Sequence, residues 1–190
     1  MMNWEPHIWN SNMSRLLHIM LVTAGSFMAL LSAHAQPKAL GASFSFACSG
    51  IVYEHYQKSS SSFLEIALKA QTSEMFAGRS QYPGISSSLT WNIVLKEWLS
   101  SEGNPIRIFA GPGVIVGYGK DFEETNGLIF GLKGRVGAEC SFTRNALISL
   151  SLSPILGSHV ISYPDHNSMK YYKNGLMYSL IPEISIKYRF

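Results

Sequence analysis

Ile181-Pro182-Glu183-Ile184-Ser185-Ile186-Lys187-Tyr188-Arg189-Phe190 is the stretch that decides the fold. Taken two residues at a time, it puts Ile184, Ile186, Tyr188 and Phe190 on one side and Glu183, Ser185, Lys187 and Arg189 on the other. A β-strand turns successive side chains to opposite faces, so this strand has one apolar and one polar face. Period alone does not say which face is inside. In a soluble barrel or sandwich the apolar face looks into a core. In a transmembrane barrel it looks out at lipid, and the polar face lines the lumen.

The same alternation recurs upstream. Leu40, Ala42, Phe44 and Phe46 oppose Gly41, Ser43, Ser45 and Ala47. Ile51, Tyr53 and His55 oppose Val52, Glu54 and Tyr56, so residues 39–57 form two strands about a turn near Cys48, or one bulged strand. Leu64, Ile66 and Leu68 oppose Glu65, Ala67 and Lys69; Leu89, Trp91, Ile93 and Leu95 oppose Ser88, Thr90, Asn92, Val94 and Lys96. A fifth strand sets Ile106, Ile108, Ala110, Val114 and Val116 against Arg107, Phe109, Gly111, Gly113 and Gly117, with Pro112 inside it as the mark of an edge or bulge. A sixth sets Leu128, Phe130, Leu132, Val136, Ala138, Cys140 and Phe142 against Gly131, Lys133, Arg135, Gly137, Glu139 and Ser141. A seventh sets Ile148, Leu150 and Leu152 against Ser149, Ser151 and Ser153. The segment 157–173 is expected to be the longest loop, and the eighth strand to run from about Gly175 to Phe190.

Three features favour lipid outside. Glycines stand beside long charged residues on the polar faces, which a solvated face does not need and a narrow lumen filled by side chains does. The apolar strips have the length of tilted strands crossing hydrocarbon. Connections alternate, short near 58–62, 100–105 and 143–145 and longer near 72–84, 120–126 and 157–173, as outer-membrane barrels alternate periplasmic turns with outer loops. Single-chain bacterial barrels have even strand numbers, which favours splitting residues 39–57. The expected fold is all-β: an eight-stranded antiparallel up-and-down transmembrane β-barrel over residues 36–190.

Ahead of it, Arg15 precedes an apolar run from Leu16 to Leu31 and then Ala33-His34-Ala35. Basic region, apolar region and small-residue exit predict a signal peptide over residues 1–35, cleaved after Ala35, with Met13 as an alternative start. Beyond Gln36 no apolar run is long enough for a transmembrane helix. The formal net charge of +3 and the absence of basic clusters interleaved with aromatics argue against nucleic acid. Two cysteines make no disulfide framework. Cys48 and Cys140 fall near opposite ends of the barrel, so both are expected as free thiols, Cys140 facing lipid.

Residues 38–190 resemble small outer-membrane barrels of the OmpA-transmembrane-domain and OmpX kind. The resemblance rests on the signal peptide, strand pattern, connection asymmetry and the terminal Tyr188-Arg189-Phe190. It implies that Ile184, Ile186, Tyr188 and Phe190 form a terminal signal read by the barrel-assembly machinery. It also implies a monomer in a membrane containing lipopolysaccharide.

Glu54, Glu65, Lys69, Lys96, Arg107, Lys133, Arg135, Glu139, Glu183, Lys187 and Arg189 are expected to point into the lumen. Isolated buried charge is costly, so the mixed signs predict an ion-paired plug; a narrow gated pore is the alternative. A structural or adhesive role follows, with no cofactor. Two other functions stay open. Ser158, His159, Asp165, His166 and Ser168 are the residue types of a Ser-His-Asp relay, without a G-x-S-x-G frame, for a lipid-modifying enzyme. A soluble secreted barrel holding an apolar ligand needs the opposite orientation, with Lys133 and Arg135 outside. His159 and His166 lack metal-ligand spacing. Tyr163, Tyr171, Tyr172, Trp91 and Trp98 are expected in interfacial girdles or an adhesive patch.

Overall fold

The computed structural model describes residues 37–57, 61–73, 83–121, 126–163 and 166–190. The expected signal peptide with Met13, most of the 72–84 connection, and Asp165 lie outside them. The strand segments are β1 (Lys38–Phe44), β2 (Cys48–Tyr56), β3 (Ser62–Gln71), β4 (Ile85–Leu99) and β5 (Pro105–Lys120). They continue with β6 (Asn126–Ser141), β7 (Ala146–Leu152), β8 (Ile155–Ser162), β9 (Asn167–Tyr171) and β10 (Glu183–Arg189). β1 to β6 pair in chain order, β6 pairs with β7, β7 with β10, and β10 with β1, every pair antiparallel. The result is a closed eight-stranded barrel.

Residues 39–57 are two strands because Ser45 makes a turn. Its hydroxyl accepts the Ala47 and Cys48 N–H groups at 3.2 and 3.0 Å and donates to the Cys48 carbonyl at 2.9 Å. The turn therefore falls at Ser45–Ala47, and Cys48 already belongs to β2. At the opposite end Gly103 adopts φ +78 between β4 and β5, a left-handed geometry that suits glycine. Pro112 sits inside a wall strand with neither an edge nor a bulge at its own position. The β4–β5 ladder keeps its register from Thr90↔Gly113 to Ile93↔Ala110 and leaves out Gly111 and Pro112, the latter lacking an N–H.

The last two wall strands differ from expectation. β7 and β8 are one barrel strand, in one register against β6, interrupted where Ser153-Pro154 crosses Gly134. Most of the expected loop 157–173 is therefore wall: a β8–β9 hairpin whose ladder runs from Ser158↔Tyr171 to Ser162↔Asn167. The eighth strand does not run continuously from Gly175. Ser158 faces Tyr171, while Ser151 faces Glu183. Seven residues along strand seven thus match twelve along strand eight, and the surplus forms helix α1 (Lys173–Met177) and a 3₁₀ turn (Tyr178–Leu180).

Burial is inverted relative to a water-soluble domain. Among the described residues eleven apolar side chains are buried against twenty polar or charged ones, whereas water-soluble interiors are filled with apolar groups. Leu68, Val114, Val116, Leu132, Leu150, Ile184 and Ile186 are all at least half exposed on the outer face. No described helix is long and apolar enough to cross a membrane, which does not bear on strands.

Candidate functional site: the charged lumen

Parity aims the charges inward. Glu54 sits on β2, Glu65 and Lys69 on β3, Arg107 on β5, Lys133, Arg135 and Glu139 on β6, and Glu183 and Lys187 on β10. Near the lower end, Lys187 bridges two carboxylates, donating to Glu54 at 2.6 Å and to Glu139. Arg107 contacts Glu139 and donates to the Tyr56 hydroxyl at 2.7 Å; that hydroxyl donates to Glu54. Arg135 contacts Glu65 and lies 3.7 Å from Glu54. Higher up, Lys69 pairs with Glu183. Arg189 stands at the lower rim, 4.0 Å from Glu139 and still 30 % exposed.

Aromatic rings fill the gaps between these charges. Phe63 meets Phe109 edge-on with centroids 5.2 Å apart, and Tyr56 meets Phe63 at 5.4 Å. The Arg107 guanidinium lies 4.5 Å from the Tyr56 ring centre, and that of Arg135 lies 4.9 Å from the Phe109 centre, both within cation–π range. Glycine makes this crowding feasible. A Cβ on Gly41 would stand 2.7 Å from Lys187 Cγ, and one on Gly137 2.8 Å from Phe109 Cζ. The same two Cβ atoms would meet the Ile186 and Leu150 backbone carbonyl oxygens more closely still, so these glycines clear room for the neighbouring strand as well as for its long side chains.

Lys96 is the expected lumen charge that lies elsewhere. A bulge between Val94 and Lys96 makes Leu95 an extra residue, so Lys96 faces Ile108 on the exterior and is exposed. Glu97 takes the inner position, opposite Arg107. Strict alternation across residues 88–96 could not reveal that slip. At the other end of the wall, Ile184, Ile186, Tyr188 and Phe190 form an exposed outer row, and Phe190 exchanges backbone hydrogen bonds with Lys38 at 2.8 and 3.1 Å.

The upper end is roofed by Gln71 and Asp121, which the pattern did not single out, together with Tyr172. Gln71 reaches from β3 to β5, accepting the Lys120 N–H at 3.1 Å, and its amide donates to the Tyr172 hydroxyl at 3.3 Å. Tyr172 is thus buried in the lumen, not in an outer girdle, whereas Trp91, Trp98, Tyr163 and Tyr171 are exposed. Asp121 accepts the N–H groups of Lys173 and Asn174 at 3.1 and 2.9 Å, capping α1 from across the barrel. The only sequence cue was Asp121 itself, a carboxylate opening a charged loop.

The candidate relay residues are not assembled into a relay. His159 is buried, with Nε2 3.1 Å from the Gly119 carbonyl, while neighbouring Ser158 faces Tyr171 across the β8–β9 ladder. Ser168 pairs with Ile161, and His166 stacks on Tyr163 at 5.1 Å. Among the described residues none of these serines is hydrogen-bonded to either histidine. No described trio of His, Cys, Asp or Glu gathers as metal ligands. Cys48 and Cys140 are both free; Cys140 pairs with Ile106 and Ile148 on the outer face. The sequence matches no protein-family model and no curated protein.

Proposed function

We propose that this chain is an integral outer-membrane β-barrel, closed by a charged plug, with a structural or surface-presenting role and no catalytic one. The carrying observation is the inverted burial: an apolar outer wall around ion-paired carboxylates and cations. In water that outer wall would be an exposed patch far larger than monomers tolerate. In lipid it is solvated, and closure through β10 and β1 leaves the wall without an open backbone edge except along β9, which pairs with β8 alone. A soluble barrel with an apolar cavity needs Phe130, Leu132 and Ile186 inside, and all three are outside. A lipid-modifying enzyme needs a rim Ser–His pair, and the histidine turned inward, His159, is engaged by a wall carbonyl.

In this reading residues 1–35 direct export, the barrel-assembly machinery reads the Ile184/Ile186/Tyr188/Phe190 row, and the monomer embeds among outer-membrane lipids and lipopolysaccharide. The test is heat-modifiability. Outer-membrane fractions are run on denaturing gels with and without boiling, beside a variant lacking Phe190. A boiling-dependent mobility shift, weakened or lost in the variant, is expected. A soluble periplasmic product with no shift contradicts the proposal.

A further inference from the structure

Above the ion network the inner wall changes character. Between the Lys69–Glu183 pair and the Gln71–Tyr172 roof lies a cavity of about 60 Å³. Lower down, β4 shows Thr90 and Asn92 to the lumen, and β7 shows Ser149 and Ser151. Here Ile115, Ile129, Ile155 and Ile181 join Ser86, Ser88, Lys133 and Glu183 in the lining. Ile115 and Ile129 stand on the faces that elsewhere carry Arg107, Gly113, Lys133 and Arg135. They face a cavity while the outer wall is apolar as well, so they are not needed to make a core.

Lys133 adjoins the same cavity and is only 4 % exposed. Its ammonium donates to Ser88 Oγ at 3.0 Å. Its carboxylate neighbour, Glu65, is 4.0 Å away and is already in contact with Arg135. Lys69, Arg107, Arg135 and Lys187 each touch a carboxylate directly. Among the described residues Lys133 and Lys38 are thus buried lysines without a carboxylate in direct contact, and of the two Lys133 lines the cavity. An ammonium has three donors, and one is used here. Burying it without a close counter-ion is unfavourable unless an anion joins it. Lys69 and Glu183 neutralise one another, so the cavity floor keeps a positive charge.

We infer that this cavity binds a short-chain monocarboxylate. The carboxylate accepts from Lys133 and from the Ser88 hydroxyl, and the alkyl end rests on Ile115, Ile129 and Ile155. Size selects the class: an apolar cavity of about 150 Å³ accepts benzene, so this smaller one suits acetate or propionate. The inference deepens the barrel reading but does not depend on cellular location.

The test uses the folded barrel in zwitterionic detergent, titrated with ¹³C-labelled propionate and followed by NMR. Propionamide serves as the uncharged analogue, and K133Q and I115F as variants, one removing the charge and one filling the cavity. Saturable propionate binding is expected, at least ten-fold tighter than propionamide and at least ten-fold weakened in each variant that keeps its heat shift. Equal binding of propionate and propionamide, undiminished binding to both variants, or no saturable binding to the folded wild type overturns the site. Any of these in a heat-shifting barrel leaves the proposed function standing, whereas wild-type protein with no heat shift removes that function too.

Discussion

Lys187 shows how one residue holds the lumen together. It bridges Glu54 and Glu139 with no exposure of its side chain. Removing one partner of a buried ion set costs about 3–5 kcal/mol, because the remaining charges are left desolvated. Lys187→Met should destabilise the barrel by about that amount in denaturant unfolding from lipid vesicles. Lys187→Met with Glu54→Gln should recover part of it. Gly137 acts by absence. Gly137→Leu brings a Cβ to 2.6 Å from the Leu150 carbonyl oxygen, 2.7 Å from Ser151 Cβ and 2.8 Å from Phe109 Cζ, and overpacking of this kind costs about 1–3 kcal/mol. Adding Phe109→Ala should relieve only part of the loss, since the Leu150 carbonyl stays in the way, and a Gly137→Leu protein as stable as wild type would show that the lumen is loosely packed. Most of the charged plug was legible as parity, since period two sends every second residue inward. Lys96 was not, because a single extra residue, Leu95, reverses the faces and leaves no mark in composition.

At the scale of elements, the six wall strands before Phe142 match the alternation, with adjustments at Ser45 and Leu95. The seventh and eighth depart from it for identifiable reasons. Pro154 interrupts a strand whose register continues beyond it, so the alternation in the sequence stops at Ser153. Helix α1 has five residues, too short for a helical period, and its cap comes from Asp121, 53 residues away from Asn174. Nothing local announces it: isolated helices this short are not stable. Its stability should therefore depend on that distant carboxylate. Asp121→Ala is expected to lose about 1 kcal/mol, as capping losses do, and to speed amide exchange over residues 173–180 while leaving β1–β6 protected. Unchanged exchange there would mean that packing of Gly175 on β8, not the cap, holds the segment.

For the whole molecule, the alternation left two opposite solids available, and side-chain volume and connection length selected the one with charge inside. The described barrel has that arrangement. With Phe63, Phe109, Tyr56 and the ion network across its section, the lumen offers no continuous wide path. Planar-bilayer recordings should show little or no steady conductance at moderate voltage, and steady openings that persist in the wild type would argue for the pore alternative. The membrane assignment itself is tested most directly at the outer face. With Cys48 and Cys140 replaced by serine, single cysteines at Val116 and Ile186 are spin-labelled in reconstituted vesicles, and their collision rates with oxygen and with a water-soluble nickel complex are compared. Oxygen should dominate at both sites, as it does within hydrocarbon. Dominant nickel access at both would place the apolar wall in water and contradict the membrane barrel.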